Sequence, residues 1–135
     1  MAFALHERLA ADTLLIADLP LCRALLMNDR RFPWVILVPR REGLRDFDDV
    51  APVEKPNFHA EIDLASEVLR EAAGAEKMNV AALGNMVPQL HVHVIARFSG
   101  DAAWPGPVWG VGTADAYSED EGRALVEKLR LGFYG

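Results

Sequence analysis

The chain has 135 residues with 20 acidic against 14 basic side chains, a formal charge of −6 with the histidines neutral. Its 51% hydrophobic and 25% charged content matches one soluble globular domain over residues 1–135 and excludes disorder, collagen-like repeats and coiled coil as the main organisation. A lone cysteine excludes an internal disulfide and fits a reducing, cytoplasmic setting. The apolar runs fall far short of the ~20 residues a bilayer helix needs, and the acidic balance disfavours polynucleotides and membranes while admitting a small anionic ligand.

Short apolar runs at residues 13–16, 22–27 and 34–38 read as strands, separated by Asp18-Leu19-Pro20 and Asn28-Asp29-Arg30-Arg31; the second run is also compatible with a helix. Pro39 ends the third. After Pro56, Phe58, Ile62, Ala65, Leu69 and Ala72 recur on one helical face, with Glu61, Asp63, Glu67, Arg70 and Glu71 elsewhere and Gly74 as the stop. Strands are expected again at residues 78–83 and 89–98, divided by Gly84-Asn85-Met86-Val87-Pro88. Residues 101–115, rich in Pro and Gly, form a loop. Ser118-x-x-Glu121 then opens a C-terminal helix that Gly132 ends. Several strands with two helices, without strict alternation, indicate α+β with a mostly antiparallel sheet of about five strands.

The chemistry gathers in Gln89-Leu90-His91-Val92-His93-Val94-Ile95-Ala96-Arg97. On a strand, Gln89, His91, His93 and Arg97 share one face, polar and imidazole-bearing, while Leu90, Val92, Val94 and Ala96 face a core. Three readings of the histidine pair stand open. The imidazoles are half-buried and satisfied locally; or they ligate one Zn²⁺ or Cu²⁺ with partners that no spacing identifies; or they form a nucleophile and acid pair, for which an ordinary pKa of ~6.5 suits histidine. Upstream, Gly84-Asn85 in a tight connection can turn backbone N–H groups and an amide toward phosphate oxygens. A plain hairpin turn is the alternative for Gly84.

Gln89-Leu90-His91-Val92-His93-Val94-Ile95 resembles the signature of the histidine triad (HIT) family, His-φ-His-φ-His-φ-φ with φ apolar, with Gln in the first histidine position. Asn28, residues 32–40, the central helix, Gly84-Asn85-x-Val87 and the Trp104-Pro105 tail extend the resemblance over about residues 21–110. It implies a HIT-like antiparallel α+β homodimer that binds a nucleotide small molecule and acts at its α-phosphate with no cofactor or metal required. By the same resemblance His91 is the nucleophile, His93 and Asn85 contact phosphate, and Asn28 lies near the ribose. Gln89 cannot relay a proton, although its amide can hold a neighbour in register.

The mechanism implied is double displacement. His91 attacks the α-phosphorus of a nucleoside phosphoramidate, nucleotide ester or dinucleoside polyphosphate, His93 or water protonates the leaving group, and water releases the nucleoside monophosphate. Asn85, the Gly84 turn and Arg97 would stabilise the phosphate oxygens, with a surface salt bridge as the alternative for Arg97. Gln89, and Trp34 where many members carry a histidine, motivate the alternative of a noncatalytic nucleotide-binding module; a metal-binding protein is the third reading. Trp34 itself reads as a core or dimer-interface aromatic. Trp104 and Trp109 read as covers of a base or as loop anchors, His59 as a boundary residue, His6 as a cap or surface residue, Cys22 as core, and the Arg30-Arg31 and Arg40-Arg41 pairs as solvated charge.

Overall fold

The computed structural model describes residues 2–135. The elements in chain order are α1 (Glu7–Asp12), β1 (Thr13–Asp18), β2 (Cys22–Met27), β3 (Trp34–Pro39), α2 (Lys55–Ala73), β4 (Lys77–Ala81), β5 (Val92–Arg97) and α3 (Glu119–Tyr134), with two 3-10 turns, Phe47–Asp49 and Pro52–Glu54, before α2. Every strand pairing is antiparallel, in the order β1-β2-β3-β5-β4. The architecture is the α+β fold that the strand and helix patterns indicate. Residues 22–27, which alone suited either state, are a strand because both of their faces are covered.

One sheet face carries Cys22, Ala24 and Leu26 of β2, Val35 and Leu37 of β3, and Val92, Val94 and Ala96 of β5 against α2 and α3. Removing each large apolar side chain there from water contributes about 1.5–3 kcal/mol. The opposite face is also a core. Leu25, Trp34, Ile36, Val38 and Ile95 pack there with Phe32, Val108 and Leu9 of α1. The face expected to be polar is therefore apolar around its histidines, because α1 and the loop before α3 cover it.

α1 was not legible in the sequence. Its six residues are too few for a periodic signal, and its cap is a histidine, whose Nδ1 accepts the Arg8 N–H at 3.0 Å. α2 ends at Gly74 as expected, where the Gly74 N–H bonds the Arg70 carbonyl. Glu61 does not lie on the solvated face of α2: it is buried and its two carboxylate oxygens accept the Leu21 and Cys22 N–H groups at 2.8 and 2.7 Å, closing the start of β2. α3 opens on the Ser118–Glu121 capping box but runs past Gly132 to Tyr134. Gly132 serves close approach instead, since a Cβ there would lie 2.7 Å from Val68 Cγ1 on α2.

Both later strands are shorter than expected. β5 begins at Val92 because β3 ends at Pro39, which offers no N–H, and the Leu90 N–H turns to the Leu44 carbonyl. β4 stops at Ala81, opposite His93, one residue short of the end of its partner at Val92. Gln89 and His91 thus stand outside the ladder, while His93 is inside it.

Glu61→Ala leaves two buried N–H groups unpaired and is expected to destabilise the protein by about 2–3 kcal/mol in urea unfolding, whereas His59→Ala, at an exposed site, stays within about 0.5 kcal/mol.

Candidate functional site

β3 and β5 are registered so that Ile36 lies opposite His93 and Trp34 opposite Ile95. This places the Trp34 indole beside His93, and its Nε1–H donates to His93 Nδ1 at 3.0 Å. A nitrogen that accepts carries no proton, so the His93 proton resides on Nε2. Two residues upstream, His91 Nδ1 lies 2.7 Å from the Gln89 carbonyl oxygen. A carbonyl can only accept, so His91 is protonated at Nδ1 and keeps its lone pair on Nε2. The two imidazoles are edge to face with centroids 4.8 Å apart, and Trp109 closes on His93 from a third side at 5.0 Å.

Both rings are buried, at 6% exposure for His91 and 5% for His93. Burial holds the His91 pKa below its ordinary value, with the Gln89 carbonyl opposing and His6 adding to the decrease. Burial, reinforced by the neighbouring His91, pushes His93 down to about 3. The pair is neutral at physiological pH.

The imidazoles line a cleft of about 320 Å³ together with Arg8, Gly84, Asn85, Met86 and Trp109. Gly84 has φ +70°, a left-handed conformation that favours glycine, and turns the chain out of β4. The backbone N–H groups of residues 84–87 donate to no other group among the described residues. A second cleft of about 360 Å³, lined by Asn28, Asp29, Arg31, Trp34 and Trp109, shares Asp12, Met27 and Trp109 with the first. Asn28 Oδ1 accepts the Tyr117 N–H at 3.0 Å, which ties this wall to the start of α3.

Two expectations about the site are corrected. The Gln89 side chain does not join the imidazoles; Oε1 accepts the His6 N–H at 2.8 Å and Nε2 donates to the Ala4 carbonyl at 2.9 Å, so only its main chain touches His91. Arg97 shares the histidine face by parity yet lies outside the cleft, and its donors are spent on Asp101, Asn79 Oδ1 and the Gly106 carbonyl. That pairing holds the Asp101 carboxyl well below the usual carboxylate range. Trp34 is a core aromatic, as the sequence reading has it, and its N–H also decides the His93 tautomer. No sequence signal at residue 34 alone could have revealed this, because the contact joins residues 59 apart.

The remaining candidates fall into place around the clefts. His6 caps α1, and His59 is an exposed helix residue 3.3 Å from Asp63. Trp109 lines both clefts, whereas Trp104 stacks beside Arg97. Cys22 is fully buried and its thiol is pushed up by burial beside Glu61. Arg31 is not solvated charge: it grips the buried Asp29 at 2.8 and 3.0 Å and the Val111 carbonyl, holding the loop that forms the second cleft. Arg40 bonds the Leu19 carbonyl and Arg41 pairs with Glu54. Among the described residues, no three His, Cys, Asp or Glu side chains gather where they could hold a metal ion, and no helix is long and apolar enough to cross a membrane.

The HIT domain family matches residues 8–100. The chain belongs to the HIT family. Solved HIT structures share its whole extent: a histidine triad protein from Marinobacter aquaeolei is 48% identical with a TM-score of 0.96 over 99% of this chain and 98% of its own. One from Bradyrhizobium japonicum is 45% identical at 0.96 over 98% and 99%, and one from Sinorhizobium meliloti 47% identical at 0.94 over 96% of each chain. No curated protein matches the chain. The HIT match begins at Arg8, inside α1, which the signature-based resemblance did not reach.

The His93 folded-state pKa of about 3 lies below the ordinary ~6.5, so on acidification the unfolded chain takes up the proton first. His93 therefore contributes stability that is present above pH ~6.5 and declines as the pH falls toward 3, at a limiting slope of about 1.4 kcal/mol per pH unit. Trp34→Phe removes the donor that favours the neutral ring, so the His93 titration followed by imidazole NMR is expected to move upward; an unchanged titration would show that the indole does not set the state of His93.

Proposed function

We propose that this HIT protein is a nucleotide hydrolase or nucleotidyl transferase that acts at the α-phosphate of a nucleoside phosphoramidate, nucleotide ester or dinucleoside polyphosphate through a nucleotidyl-histidine. The observation that carries the proposal is the His91 Nδ1–H bond to the Gln89 carbonyl, which leaves Nε2 as the basic nitrogen of a neutral imidazole lining the cleft.

The chemistry follows from the two tautomers. The His91 Nε2 lone pair attacks the α-phosphorus, a P–N bond forms, and the bond from phosphorus to the leaving group breaks. His93 contributes a hydrogen bond from Nε2–H to a nonbridging oxygen. It is a poor proton donor, because a neutral imidazole whose protonated form has a pKa of about 3 carries no labile proton near neutrality. Water therefore protonates the leaving group. A second water attacks the phosphorus, the P–N bond breaks toward His91, and the nucleoside monophosphate departs. The unpaired N–H groups of residues 84–87 and the Asn85 amide face the accumulating negative charge. The second cleft, with Asn28 and Trp109, accommodates the nucleoside. No metal or organic cofactor takes part in these steps.

The poor proton-donating capacity of His93, the imidazole beside His91, favours a second reading, a nucleotide-binding module without turnover. The reading as an enzyme also carries the family expectation of a homodimer, which the open edge of β4 and its half-exposed Val80 would serve.

With adenosine phosphoramidate and a set of dinucleoside polyphosphates, the wild-type protein is expected to release AMP and His91→Ala to lose about 10³–10⁶ in rate. Rapid quenching should trap a nucleotidyl mass increment on the His91 peptide. Nucleotide binding with no turnover of any substrate would establish the module; failure to bind nucleotides at all would overturn both readings. Light scattering at micromolar concentration is expected to give twice the 14.9 kDa chain mass.

A further inference from the structure

The imidazole cleft belongs to a protein of net charge −6, and its histidines are neutral. An anionic group entering it meets backbone amides, but amides alone give no charge neutralisation. Arg31 lines the second cleft, Arg97 lies outside both, and Arg45 lines a neighbouring recess that shares Leu83, Gly84 and His91 with the imidazole cleft. Arg97 is held by Asp101, Asn79 and Gly106, and Arg31 by Asp29 and Val111. The imidazole cleft itself is lined by Arg8 of α1. It is the only cationic side chain lining the imidazole cleft, and its guanidinium has no hydrogen bond or ion pair among the described residues, not even with Asp12 one turn on.

Arg8 is placed by its neighbours on both sides. On one side the Gln89 amide clasps the main chain of residues 4–6, accepting the His6 N–H and donating to the Ala4 carbonyl. His6 in turn accepts the Arg8 N–H on its ring nitrogen at 3.0 Å. On the other side Leu9 is 5% exposed and packs into the core on the histidine face. The segment that carries the free guanidinium is therefore pinned at residue 6 by Gln89 and at residue 9 by burial. A neutral amide suits this clasp because it offers one acceptor and one donor together.

We propose that Arg8 is the cationic ligand of the phosphate group that enters the imidazole cleft, and that Gln89 is a positioning residue which holds the Arg8 segment as the wall of that cleft. This rests on the reading of the cleft as a phosphate site. The guanidinium fork matches two phosphate oxygens at once, which lysine cannot do. The glutamine in the first signature position thus works through the N-terminal segment and not through the imidazoles.

The test titrates wild type, Arg8→Ala, Arg8→Lys, Gln89→Ala and the double variant Arg8→Ala/Gln89→Ala with AMP, adenosine and inorganic pyrophosphate, read by the fluorescence of Trp109 in the cleft wall. Arg8→Ala is expected to weaken AMP and pyrophosphate about tenfold and leave adenosine unchanged, with Arg8→Lys intermediate. Gln89→Ala should reproduce the Arg8→Ala loss, the double variant should add nothing further, and trypsin should cleave after Arg8 faster in Gln89→Ala than in wild type. Wild-type affinity for AMP in Arg8→Ala, or no binding of either anion by wild type, overturns the proposal. Loss in Arg8→Ala with wild-type behaviour in Gln89→Ala overturns the positioning role. Arg8-dependent pyrophosphate binding without turnover of any nucleotide substrate would sink the enzymatic reading alone; turnover with Arg8-independent anion binding would sink this inference alone.

Discussion

The tautomer that the imidazole cleft presents at His93 depends on one hydrogen bond, from the Trp34 indole to His93 Nδ1. A ring nitrogen facing an N–H donor at that distance cannot itself hold a proton, so His93 presents Nε2–H and resists becoming cationic. Burial acts in the same direction. His91, 4.8 Å away ring to ring, is then spared a neighbouring positive charge, and the Gln89 carbonyl orients it with the opposite tautomer. The pair consists of one imidazole that donates and one that can attack, each defined by a partner that is not a histidine.

This arrangement needs a sheet buried on both faces. Val92, Val94 and Ala96 are covered by helices, while His93 and Ile95 are covered by α1 and the loop through Val108 and Trp109. An imidazole on a solvated outer face would titrate near its ordinary value and would not hold one tautomer. The two covering segments are small and make few ladder bonds, so they are held by side chains: Gln89 for residues 4–6, Arg31 and the buried Asp29 for residues 111–115. Polar groups outside the imidazole pair thereby shape both clefts.

Much of the fold could be read from the chain. The alternation from Gln89 to Arg97, the spacing from Phe58 to Ala72 and the Ser118–Glu121 box are local patterns, and a strand, a helix and a helix start lie within them. The misses were long-range. Gly132 looks like a terminator until Val68 is seen against it, Glu61 looks like one more residue off the apolar face until the start of β2 lies above it, and β5 looks as if it starts three residues earlier until its partner ends at Pro39.

The site divides in the same way. The sequence by itself determined which residues are the candidates for chemistry, because two imidazoles in period-two alternation beside Gly84-Asn85 form a local signature, and it determined the family that the signature resembles. Only the tertiary structure decided their states and their company. Tautomer, neutrality, the removal of Arg97 from the cleft and the entry of Arg8 depend on contacts between residues far apart in the chain, and such contacts leave no periodicity along it.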